Sequence, residues 1–225
     1  MYLSLPFFRL LSLDELKSVI FHELSHYKGN DTRYSQKFFP IYRGTCASIV
    51  GLRSIAISSI GRWALLPAFI LLNLFLRSFE IAEKSLSRDR ELAADKLGAQ
   101  EAGTEAATAA LVKVHAFSKV WDLIEKKKVI ADPHTKNMSK MIFQFLDNYP
   151  ISELFKNLQN EHTFHPANSH PLLSIRLEAL GQTLASIKDQ AADIHPRNPA
   201  IALIDRAEEI EERATASALG VHYVP

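Results

Sequence analysis

The chain has 225 residues, 47% of them hydrophobic, with 26 basic against 25 acidic side chains and a single cysteine. That length suits one domain with at most an appendage, and the even charge excludes the basic excess of a nucleic-acid binder. Cys46 alone excludes an internal disulfide, and the composition excludes a disordered or collagen-like chain.

Tyr2–Leu5 reads as a short strand ended by Pro6. A helix follows from Ser12, because Ser12-Leu13-Asp14-Glu15 has the spacing of a capping box. Asp14 and Glu15 suit its positive end, Leu13, Leu16, Val19 and Ile20 give it an apolar face, and Gly29 is its stop. Residues 49–76 are the most hydrophobic part of the chain and divide into two helical pieces, about 49–60 and 63–76, with Gly61-Arg62 as the turn. A polar helix is expected from Glu80 to Gly98. Another runs from Thr104 to Ile130, with Leu111, Val114, Trp121 and Ile124 on its inner side. Met138–Leu146 and Ser152–Leu158 read as shorter helices, and Glu161–Pro171 as a loop rich in His, Pro and Asn. Helices resume at Leu172–Ile187 and at Pro199–Leu219, where Pro199 suits the first helical position. The charge run from Arg206 to Arg213 reads as a solvated face.

The chemistry sits in His22-Glu23-Leu24-Ser25-His26. On a helix, positions four apart share a face, so His22 and His26 can bring two imidazoles to one zinc ion. Glu23 lies beside them, in reach of the proton of a water held there. A catalytic zinc needs a third ligand, and Ser87-Arg88-Asp89-Arg90-Glu91-Leu92-Ala93-Ala94-Asp95 offers Glu91. Asp95, one turn on, can accept a hydrogen bond from a ligand histidine and fix its tautomer.

These motifs, with Asp31 after the first and with His170-Pro171 and Arg176 as a third element, resemble the gluzincin peptidases of the HtpX and CAAX-prenyl-protease type. The resemblance runs from about Leu11 to Leu180. It implies that His22, His26 and Glu91 are zinc ligands, one Zn2+ per chain, with Glu23 as general base and Asp95 behind the ligands. It places His170 near the active site, where it assists the oxyanion or gates the metal, and gives Arg176 an orienting ion pair. Ser25 stands where the family more often has glycine. The family also carries a β-hairpin ahead of the zinc helix, where peptide substrates pair with an edge strand. Here about eleven residues precede that helix, so either the chain is a truncated product or its substrate groove is built differently. His162 and His165 read as solvated loop residues, and Cys46 as a small buried one.

Residues 54–76 are long enough to span a bilayer, with Arg62 as the one charge among them. That arginine costs roughly 2.5–3.5 kcal/mol, offset by about 0.3–0.6 kcal/mol for each Leu, Ile and Phe around it. A single crossing between His26 and Glu91 would leave the ligands on opposite sides of the membrane. Two full crossings need about 40 residues, more than the apolar interval provides. A bent hairpin dipping into one leaflet meets both limits, with Arg53 and Arg77 at the headgroups.

The expected fold is mainly α: a gluzincin-like helical core with little β at the N-terminus and an apolar helical hairpin inserted between the zinc-ligand helices. The expected organisation is a peptidase domain over 1–187, with the hairpin at about 46–79, then a linker and C-terminal helix over 188–225. The expected function is a zinc-dependent metalloendopeptidase acting on membrane-associated or misfolded polypeptides. It would be held at an inner or cytoplasmic membrane through lipid contact at residues 49–76, with no nucleic-acid partner and homo-oligomerisation left open. The alternative is a non-catalytic membrane or scaffold protein that retains a zinc site without the usual front end.

Overall fold

The computed structural model describes residues 4–28, 31–55, 59–126, 135–148, 158, 170–220 and 223. In chain order the helices are α1 (Leu5–Leu10), α2 (Leu13–Lys28), α3 (Asp31–Ile55), α4 (Ser59–Ala102), α5 (Thr104–Lys126), α6 (Met138–Asp147), α7 (Leu173–Ala179), α8 (Leu184–Ala192) and α9 (Ala207–Leu219). A short 3-10 turn, Ala200–Leu203, precedes α9. Among the described residues there is no strand, only an isolated bridge between Ser12 and Pro199. The mainly α expectation holds; of the strand expected at Tyr2–Leu5, residues 2 and 3 lie outside the described residues, Ser4 is not strand and Leu5 opens α1. Pro6 occupies the first turn of that helix, where its missing N–H costs nothing and its fixed φ suits the helix.

The chain forms two compact units, one of Met1–Glu23, Ala94–Thr163 and Leu172–Pro225, the other of Leu24–Ala93 and Phe164–Pro171. The first unit owns the hydrophobic core. Leu10, Val112, Phe117, Ile142, Leu146, Leu177 and Ile187 pack together there, with Phe7 tilted against Phe117 at 4.8 Å between ring centroids. The buried stripe of α5 runs through Ala109, Val112, Ala116 and Phe117, with Leu111 only partly buried beside it. Its alanines let neighbouring helices approach, which a pattern judged from large side chains passes over. The Trp121 and Ile124 side chains lie outside the described residues.

The capping box forms as the sequence indicates: Ser12 N–H donates to Glu15 Oε2 at 2.8 Å and Glu15 N–H to Ser12 Oγ at 3.2 Å. Glu15 is also buried against Lys113, whose ammonium donates to the same carboxylate at 2.9 Å and to the Leu10 carbonyl at 3.3 Å. A lysine so deep in a core is tolerated because each charge meets a partner.

Two helices expected whole are broken. Leu172–Ile187 divides into α7 and α8 because Gly181 turns to φ 72 and Thr183 opens a new capping box with Ser186. Pro199–Leu219 divides at Arg206, whose φ of 55 reverses the chain, and Pro199 caps the 3-10 turn instead of starting a helix. The charge run after it is not wholly solvated. Glu211 is 1% exposed and receives a forked pair from Arg9 at 2.7 and 2.6 Å and a third bond from Asn137 at 2.9 Å. The carboxylate holds the Arg9 guanidinium above its ordinary pKa, chiefly through that hydrogen bonding.

In the second unit α3 and α4 run antiparallel, as the ring contact of Tyr42 with Phe79 and the stacking of Arg53 on Phe69 require. α3 ends at Ile55 and α4 begins at Ser59, so Gly61-Arg62 lies inside α4. A helical glycine costs only about 1 kcal/mol, so Gly61 cannot by itself end a helix among so many helix formers. Nor does anything interrupt the chain between Leu76 and Glu80. The apolar piece and the polar piece are therefore one helix of 44 residues, passing through Gly98 to end at Ala102, before Gly103 at φ 92. Its part from Leu65 on holds a window long and apolar enough to cross a membrane, none of it buried. Ser152–Leu158, apart from the buried Leu158, lies outside the described residues, as does the loop before His170.

Candidate metal centre

Two helices carry the motif residues: α2 holds His22, Glu23 and His26, and α4 holds Glu91 and Asp95. The boundary between the units falls inside both helices, so each unit contributes its own contacts.

In the first unit α2 and α4 come close at a glycine. A Cβ on Gly98 would stand 2.9 Å from the Ser18 backbone oxygen and 3.3 Å from its hydroxyl. The Lys17 ammonium donates to the Glu101 carbonyl beside this contact. One turn further, His22 Nδ1 lies 2.9 Å from Asp95 Oδ1. Asp95 is 3% exposed and is gripped from its other side by the Arg176 guanidinium, two bonds of 2.7 Å each. Burial alone would raise this carboxyl's pKa. The hydrogen bonds from Arg176 and His22 outweigh it and hold Asp95 below the usual carboxylate range. Ionised at neutral pH, Asp95 accepts the Nδ1 proton of His22, so Nε2 carries the lone pair.

In the second unit His26 Nε2 lies 3.6 Å from Glu91 Oε1, and His170 Nδ1 lies 3.2 Å from Glu91 Oε2. Glu91 is buried at 7% exposure, whereas the His170 side chain is 68% exposed. Glu23, half-buried, sits on α2 next to His22. The predicted residues thus form two rungs, His22 with Asp95 in the first unit and His26 with Glu91 in the second. Arg176 meets Asp95 and His170 meets Glu91.

The donors fit zinc. The separation between His26 and Glu91 is too long for a good hydrogen bond. Two ligands about 2.0–2.1 Å from one tetrahedral zinc stand roughly 3.4 Å apart, close to what these two atoms show. Two imidazoles and one carboxylate are also a donor set that a catalytic zinc takes.

Sequence reasoning missed Gly98, reading it as the end of a helix. The available signal was its place three residues after Asp95 and seven after Glu91, on the same helical face as both. On propensity alone Gly98→Ala should stabilise α4 by about 1 kcal/mol. Instead we expect a melting temperature several degrees lower, because the new methyl meets the backbone carbonyl that closes the α2 turn leading to His22. Overpacking of this kind costs about 1–3 kcal/mol. Thermal unfolding of the two chains side by side decides the sign.

His162 and His165 lie outside the described residues. No curated protein and no solved structure matches the chain. The description "Peptidase family M48" matches residues 1–184. That match covers the α2 and α4 motifs and the Arg176 fork together, and on it the chain belongs to peptidase family M48, a family of metallopeptidases.

Proposed function

We propose that the protein is a zinc-dependent metalloendopeptidase held at a membrane, with His22, His26 and Glu91 as the ligands of one Zn2+. The observation that carries this reading is the pair of rungs: His26 Nε2 stands 3.6 Å from Glu91 Oε1, and His22 Nδ1 stands 2.9 Å from Asp95 Oδ1. Zinc bound there supplies a Lewis acid that polarises a peptide carbonyl and makes water acidic.

Glu23, next to His22 on the same helix, takes the water's proton on its carboxylate and returns it to the departing amine. Asp95 keeps the His22 ring in one orientation, and Arg176 keeps Asp95 ionised and still. His170, with its side chain 68% exposed, stands 3.2 Å from the Glu91 carboxylate, and in this reading it meets the substrate carbonyl or covers the site. The substrate is a polypeptide. Membrane attachment is supported by the apolar window of α4, which the fold leaves uncovered at Leu66, Ile70, Leu71, Leu74 and Phe75.

The test is zinc per chain on detergent-purified protein, with a chelator-sensitive peptide-cleavage assay beside it. We expect about one zinc in the wild type and a loss of at least tenfold in metal affinity for Glu91→Ala. A folded wild-type chain that binds no zinc would overturn the reading.

A further inference from the structure

Every residue used here belongs to the second unit. Along α3 the sequence from Gly44 to Leu52 holds no charge, and along α4 none occurs from Trp63 to Leu76. Each stretch is bounded by arginines, Arg43 and Arg53 on α3 and Arg62 and Arg77 on α4; Arg43 and Arg77 lie at the same side and are exposed. The Tyr42 and Phe79 rings meet at 6.1 Å beside them, which fixes these two arginines at one level of the antiparallel pair. An exposed apolar stretch closed by arginines and aromatic rings is the pattern of a bilayer boundary, with the cations at anionic headgroups. Arg53, inside the apolar part, lays its guanidinium on the Phe69 ring at 5.7 Å, which shields its charge. A hairpin enters and leaves on one side, so His26, ahead of α3, and Glu91, at the far end of α4, stay on the same side of the membrane.

The 44-residue helix has a further consequence. Arg77 and Glu91 stand on one uninterrupted rod, and a rise of 1.5 Å per residue separates them by about 21 Å. An average membrane tilt of about 20° shortens that height only slightly. We propose that α4 acts as a ruler: it holds Glu91 about 20 Å outside the headgroup level marked by Arg43 and Arg77. The substrates are then polar segments of membrane-anchored polypeptides, cut at a bond about six or seven residues from the bilayer. An extended chain covers about 3.3 Å per residue, so a bond closer to its anchor cannot reach the centre. This inference rests on the peptidase reading above and names its substrate class.

Two measurements test it on the zinc-loaded full chain in vesicles of phosphatidylcholine and phosphatidylglycerol. The first reads depth without activity. In a Cys46→Ala background, a fluorophore on Leu71→Cys should be quenched by acyl-chain quenchers, one on Ser78→Cys by headgroup quenchers, and one on Ser85→Cys only from water. Lipid quenching at position 85, or water quenching at 71, overturns the proposed level.

The second uses a casein segment joined to a single-span leucine helix through a stiff proline-rich spacer of two to fourteen residues, with the free segment as control. Cuts mapped by mass spectrometry should begin about six or more residues from the span for every spacer, inside the casein segment where the spacer is short. Cuts within four residues of the span, with the free segment cleaved, overturn the ruler and leave the peptidase reading standing. A protein that cleaves neither form overturns the peptidase reading and the substrate class with it.

Discussion

A Glu23→Gln chain is expected to keep its zinc and its melting temperature and to lose cleavage by about two to four orders of magnitude. The glutamine has nearly the volume and the same hydrogen-bonding reach, so α2 is undisturbed around the half-buried position. His22 and His26, one residue back and three residues on, keep their own contacts with Asp95 and Glu91. What disappears is the carboxylate that accepts a proton. Metal content by atomic absorption and initial rates on a peptide substrate separate the two effects. Cleavage at the wild-type rate would show that another group is the base.

Removing the Asp95 carboxylate should damage both stability and metal binding. Asp95→Ala removes the carboxylate that the Arg176 guanidinium, whose side chain is only 14% exposed, grips with two bonds of 2.7 Å each. Breaking one half of a buried ion pair costs about 3–5 kcal/mol. It also takes away the acceptor of the His22 Nδ1 proton, and loss of such a partner weakens metal affinity about 10- to 100-fold. Asp95→Asn keeps the volume and one acceptor oxygen, so its melting temperature should fall less while the affinity still drops. Zinc titration against a competing chelator, with thermal unfolding of the same samples, checks both. An Asp95→Ala chain with wild-type zinc affinity would remove Asp95 from the metal centre.

What the sequence disclosed was whatever is set by neighbouring residues. The Ser12–Glu15 capping box, the turn-spaced histidines of α2 and the face shared by Glu91 and Asp95 depend on helical periodicity alone. The breaks were harder to see because each depends on a backbone angle. Gly181 at φ 72 had a glycine to announce it, but Arg206 at φ 55 had none. The fused α4 was hidden for the opposite reason, since composition changes sharply near Glu80 while nothing there stops a helix. Glu211 looked like one acid among several, and its partners when buried, Arg9 and Asn137, are both far away in the chain. Contacts of this range leave no periodic trace. Gly98 belongs with them: its place on the face of Glu91 and Asp95 was visible, but its partner Ser18 was not.

The Arg9–Glu211 fork also sets an order of events during synthesis. The two residues are 202 positions apart, and α1 is made before every other member of the core into which it packs through Leu10. At about 5–20 residues per second a ribosome needs roughly 10–40 s to travel from one to the other. Through that interval the α1 leucines and the buried face of α2 have no lasting cover, while all of Leu24–Ala93 is already made. The Leu24–Ala93 segment is thus complete before Arg176 exists to grip Asp95, so that buried acid waits on a partner made 81 residues later.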